Sequence, residues 1–156
     1  MSLKDKLTEI KEREVEHSQV DWDARKNRWI QQVNDLHAEI RSWLTEFEGD
    51  FLSFETSSKD LNEETLGSYQ ANNLFINISS SIRLLLEPIG SVIIGGYGRI
   101  DFFKQTNRSK KFMLILTKEE NSENYIWAIA DSKNKRSFKR LNRERFEDAM
   151  EQLIDG

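Results

Sequence analysis

Trp29, Val33, Leu36, Ile40, Trp43 and Phe47, spaced alternately by four and three, constrain this chain more than any other feature. That spacing sets six large apolar groups on one stripe of a helix. A second row, Ile30, Leu44 and Phe51, stands at multiples of seven and widens the stripe, with His37 in the same row. Three of the four tryptophans (Trp22, Trp29, Trp43) fall in this segment, and neither glycine nor proline occurs before Gly49. Such a stripe must be covered, by a sheet from the later chain or by a second copy of the chain.

Upstream the apolar face is thinner. Leu3, Leu7 and Ile10 begin it, and Val15 and Trp22 open a seven-residue repeat that continues through Trp29, Leu36 and Trp43. Ser18 and Asp21 are both N-cap types, so the expectation is a marginal helix in 1–20 followed by a well-specified one over about 21–48. A single helix of some 45 residues would be about 68 Å long, more than a compact domain of this size measures across.

From 44 to 66 seven acidic residues stand against Lys59 alone, a local charge of −6. This stretch, 49–67, reads as a connector, with a brief extended piece at 51–55 and a helical turn stopped by Gly67. Beyond it the period becomes two, in Leu74, Ile76 and Ile78 and again in Ile82, Leu84 and Leu86. Alternation marks half-buried strands. Further extended runs at 91–94, 99–103, 111–117, 125–130 and 136–140 are separated by short turn-like pieces, with Pro88 placed for a tight turn closed by Gly90. Short connections imply antiparallel pairing, since parallel crossovers need a dozen or more residues. Asn142 then caps a final helix over about 142–154, with Phe146, Ala149, Met150, Leu153 and Ile154 on its apolar face. The expected fold is α+β: a long N-terminal helix packed on an antiparallel meander of six to seven strands, strongly curved or a partly open barrel, closed by a short C-terminal helix. Residues 1–20 are then an extension and 21–156 one domain. In tally of elements this resembles a pleckstrin-homology-like barrel, with no motif accompanying the tally.

The chain of 156 residues carries a net charge of only −4 and no cysteine. Disulfides, thiolate catalysis and cysteine-held metals are thereby excluded. Residues 1–16 are densely charged without an apolar core, and no apolar run approaches the ~18 residues of a membrane span, so a cytoplasmic protein that does not enter membranes is expected.

No catalytic motif stands out. Gly95, Gly96 and Gly98 follow an apolar run, but Ile100 to Phe103 after them read as strand rather than as the helix a phosphate loop needs. Asp101 followed by Lys118 has the outline of a Mg²⁺-dependent nuclease core, yet Leu116 occupies the place of the required second carboxylate. His17 and His37 lack metal-type partners, and His37 reads as a boundary residue with its polar edge in water. Ser57–Ser58 and Ser79–Ser81 have no nucleophile-elbow context. No metal or cofactor is implied. The main polar feature is basic: Lys133, Lys135, Arg136, Lys139, Arg140, Arg143 and Arg145 face only Glu144, a local charge of +6, with Phe138 interleaved. These seven are the candidates for an anionic ligand, to which Arg108, Lys110 and Lys111 add if both loops share one end of the sheet. The −6 segment is the competing, internal partner for them.

The leading expectation is therefore a non-enzymatic interaction module, a homodimer associating through Leu3, Leu7, Ile10, Val15 and Trp22, with a further protein partner possible. A nucleic-acid or phospho-ligand binder using 133–145 is the alternative, with nucleic acid the less favoured, and a nuclease at Asp101 comes third.

Overall fold

The computed structural model describes residues 2–93, 96–131 and 137–156, and in all of these but residues 15–21 the side chains as well. Helix α1 (Leu3–Trp43) starts at Ser2, whose hydroxyl accepts the Asp5 N–H at 3.2 Å. It ends earlier than expected. Leu44 is its C-cap, a 3-10 turn Thr45–Phe47 follows, and Gly49, with φ of 99°, lets the chain reverse so that its N–H meets the Leu52 carbonyl at 2.9 Å. Left-handed backbone of this kind favours glycine.

Seven strands follow: β1 (Ser53–Glu63), β2 (Gly67–Asn77), β3 (Arg83–Gly90), β4 (Gly98–Lys104), β5 (Asn107–Lys118), β6 (Tyr125–Asp131) and β7 (Lys139–Arg140). They pair antiparallel in chain order, β1 through β7. The expected antiparallel meander is thus present as an open sheet. Its order ends in two edges, β1 and β7, with no pairing between them among the described residues. Helix α2 (Arg143–Asp155) begins at Asn142, whose side chain accepts the Arg145 N–H at 2.8 Å.

The 49–67 connector is where the sequence reading fails most. In place of a loop and a helical turn, β1 and β2 form a long regular hairpin with Ser53 opposite Asn77 and Glu63 opposite Gly67. Only Leu61 of β1 is buried, so an edge strand of this polarity leaves no alternation to read. Pro88 sits inside β3, not in a turn, at a register shift between Pro88 and Gly90. A bulge tolerates proline because the ladder is already interrupted there. The strand expected at 91–94 shrinks to one isolated bridge, Ile93 to Gly96, and Ile94 lies outside the described residues.

One face of the sheet carries the main core. Trp29, Val33, Leu36, Ile40 and Leu44 of α1 and its C-cap are essentially inaccessible, and they meet Leu74, Ile76, Leu84, Leu86, Ile100, Phe102, Leu114 and Leu116. Each such group stabilises by about 1.5–3 kcal/mol on burial. From α2, Phe146 stacks on Phe102 at 4.8 Å and 12°, and also reaches Trp43 at 5.9 Å. Its other buried residues, Ala149, Met150 and Leu153, are those expected from the pattern. On the opposite face Leu85, Phe103 and Met113 are also buried. Arginines lie over the aromatic groups there, Arg83 at 3.7 Å from the Phe75 ring centre and Arg108 at 5.0 Å from that of Phe103. No described helix is long and apolar enough to cross a membrane.

His37 departs from expectation. It is 7% exposed, and its Nε2 has no hydrogen-bond partner among the described residues. Burial, and secondarily the charge of Arg41, lower its pKa from 6.5 to about 4.

Two predictions follow from this packing. The Trp29 ring fills the space a side chain at residue 98 would need, so Gly98→Ala should destabilise by about 1–3 kcal/mol through overpacking, read as a lowered urea midpoint. His37 is neutral when folded and regains its ordinary affinity for protons when unfolded. Its contribution is therefore complete above pH 6.5 and is lost as pH falls toward 4. Denaturation at pH 7 and pH 4.5 should show wild type losing up to about 2.5 kcal/mol more than His37→Leu; equal losses would contradict this.

Candidate interaction surfaces

Of the seven candidate anion-binding residues, Lys133, Lys135 and Arg136 lie outside the described residues. The other four gather where β7 meets the start of α2, and three of them are engaged within the chain. Arg140 Nη1 donates to Glu119 Oε1 at 3.1 Å. Arg143 pairs with Glu46 and, at 3.2 Å, with Glu147. Arg145 Nη1 donates to the Arg140 carbonyl at 2.6 Å. The acidic stretch thus supplies one counter-charge, Glu46, while Glu119 and Glu147 come from elsewhere. These carboxylates also account for an arginine in the first turn of α2, where the helix dipole opposes a cation. Lys139 and Arg145 line a cleft of about 230 Å³ that also holds Asp131 and Asp148, so its rim carries both signs.

The second basic loop lies at the same end of the sheet, since Phe112 pairs with Asp131, and Gln152 lines the same cleft as Lys139 and Arg145, but its lysines are engaged within the chain. Lys110 Nζ donates to the Gln152 carbonyl at 2.7 Å, near the opposite end of α2. Nine residues of helix, about 14 Å, separate Gln152 from Arg143. Lys111 turns instead to Asp101 at 3.4 Å.

Asp101 is 4% exposed, held by Arg99 through both oxygens at 2.7 and 3.0 Å. Cross-strand register places Glu87 opposite it, a carboxylate that sequence spacing did not bring forward. Glu87 is itself 3.6 Å from Lys59. Two acids are therefore met by three cations, and among the described residues no three metal-binding side chains converge.

The glycine stretch has a packing role. A Cβ on Gly96 would stand 2.7 Å from Ile115 Cγ2 and 2.9 Å from the Leu116 carbonyl, while Gly98 admits Trp29. Gly95 lies outside the described residues.

The self-association candidates divide. Leu3, Leu7 and Ile10 are 74%, 56% and 47% exposed. Trp22 is half-buried, 5.4 Å from the Arg25 guanidinium, and so belongs to the body. The Val15 side chain lies outside the description.

Between the exposed and buried stretches of α1 is a polar knot that residue spacing could not reveal, because it assembles from four separate segments. Arg25 Nε donates to Ser91 Oγ at 3.0 Å, and its Nη2 donates to the Ser91 carbonyl. Glu63 accepts the N–H groups of Ser91 and Val92 at 3.0 and 2.8 Å and the Tyr69 hydroxyl. Burial, with Glu63 as hydrogen-bond partner and charge, pushes the Tyr69 phenol up. Alongside runs an alternation of rings and cations. Arg25 lies 5.5 Å from Tyr97, Lys118 is 5.4 Å from Tyr97 and 5.2 Å from Tyr125, and Arg28 is 5.0 Å from Tyr125. Tyr97 and Tyr125 meet edge to face at 5.3 Å. Each ring–cation contact is worth about 0.5–1 kcal/mol at such sites.

No protein-family model matches the chain, and neither the curated proteins nor the solved structures give a significant match.

Proposed function

We propose that this protein is a non-enzymatic interaction module of the cytoplasm that self-associates, as a homodimer, through the N-terminal part of α1. Residues 1–20 act as an extension of one long helix, and 21–156 form the single domain it projects from. One observation carries the reading: Leu3, Leu7 and Ile10 form a regular apolar row, and all three are exposed. Residues 3–14 are exposed throughout, whereas from Trp29 onward the stripe of α1 is covered by the sheet. The stretch gains nothing from the core, so packing against a partner is the natural source of further stability for it. The alternative through 133–145 is weakened by the carboxylates already on Arg140 and Arg143.

Sedimentation of the full chain should show a concentration-dependent dimer. Leu7→Glu with Ile10→Glu should raise the dimer dissociation constant at least about tenfold, since each buried leucine or isoleucine contributes about 1.5–3 kcal/mol, while leaving the thermal midpoint of the dilute protein unchanged. A wild-type monomer at every concentration, or a double variant that still dimerises, would sink the proposal.

A further inference from the structure

The distribution of charge around the exposed row decides what it meets. On a helical wheel Lys4 and Lys11 flank Leu3, Leu7 and Ile10 on one side, and Lys6 and Arg13 flank them on the other. Asp5, Glu9 and Glu12 point away, and Glu14 ends the apolar part of the row. Arg13 is tied to Glu9 at 2.6 Å, whereas Lys4, Lys6 and Lys11 have no ion pair among the described residues. Two copies of this stretch laid face to face, parallel or antiparallel, would oppose lysine to lysine along both borders. Like charges at such flanking positions select against pairing.

The complementary surface lies at the other end of the same helix. Phe51, 67% exposed, leans edge-on against Phe47 at 6.3 Å. Glu48 and Asp50 beside it are exposed and have no ion pair among the described residues. A cleft of about 310 Å³ opens there between Asp50, Phe51, Leu52 and Ile78. An apolar row with a basic rim thus stands at one end of α1 and an apolar knob with an acidic rim at the other. Residues 14–43 of the helix, about 45 Å, separate them, so one chain cannot join them to each other.

We infer that the occupant of the Phe51 tip is the 3–13 stretch of a second copy. The two α1 helices lie antiparallel, and each extension docks on the other's tip, with Lys4 and Lys6 facing Glu48 and Asp50. The contact is made twice under one twofold axis, which closes the assembly at a dimer. This arrangement rests on the self-association proposed above and specifies its receiving surface.

Charge exchange in the full-length protein tests it. Lys4→Glu with Lys6→Glu should weaken dimerisation at least tenfold in low salt. Glu48→Lys with Asp50→Lys should weaken it similarly, and all four changes together should restore affinity to within about threefold of wild type. Phe51→Ser should weaken it by at least tenfold, with the circular dichroism spectrum unchanged. If wild type dimerises and Leu7→Glu abolishes the dimer, but the changes at 48, 50 and 51 have no effect, the antiparallel docking is wrong while self-association stands. A monomer at all concentrations overturns both. So does a monomer that binds phosphatidylserine vesicles through Lys4 and Lys6, which would assign the row to an anionic membrane surface instead.

Discussion

Trp29 lying over Gly98 fixes where the helix meets the sheet. The indole is 1% exposed, its ring occupies the position of the missing side chain at residue 98, and Trp127 stands 6.0 Å away. Glycine here is a matter of space, since any side chain would displace the largest buried group of α1. With Trp29 seated, the four-and-three spacing carries Val33, Leu36 and Ile40 into the same core, and Leu44 of the second row joins them. Burial of His37 is a consequence of the same seating, because it lies on the α1 stripe that faces the sheet.

The point at which α1 leaves the sheet is set by polar groups rather than by apolar ones. Arg25 grips Ser91, and Glu63 gathers the N–H groups of Ser91 and Val92. Backbone groups without a ladder partner are costly when buried, and these side chains supply the missing partners. Beyond this knot every described side chain from Ser2 to Glu14 is exposed. Residues 2–14 are thus carried on a helix anchored by this knot while making no contribution to the core themselves. That is the combination an interaction surface requires: a fixed origin and an uncovered apolar row.

Much of this was legible from residue spacing. The Trp29 row, the alternation in 74–86 and the face of α2 are patterns of apolar residues facing one core, and periodicity reports them directly. The β1–β2 hairpin was not legible, because its pairing is made by backbone groups while its side chains stay polar. Pro88 misled for a related reason, as a bulge permits inside a strand what a regular ladder forbids. The charged segment at 133–145 looked like a site because sequence counts charges without showing their partners: Glu147 stands one turn along α2, but Glu46 and Glu119 come from distant parts of the chain. Conversely, the row at Leu3, Leu7 and Ile10 is visible in the sequence, but its lack of cover is a property of the fold, in which burial of α1 begins at Trp29.

The central claim is that α1 has two fates along its length, core from Trp29 onward and partner-dependent surface over residues 3–14. Hydrogen exchange followed residue by residue at two protein concentrations tests this most directly. The amides of 29–43 should be strongly protected at both concentrations, while those of 3–14 should exchange rapidly when dilute and become protected when concentrated. Protection of 3–14 that does not change with concentration, or its absence even in concentrated solution, would contradict the account.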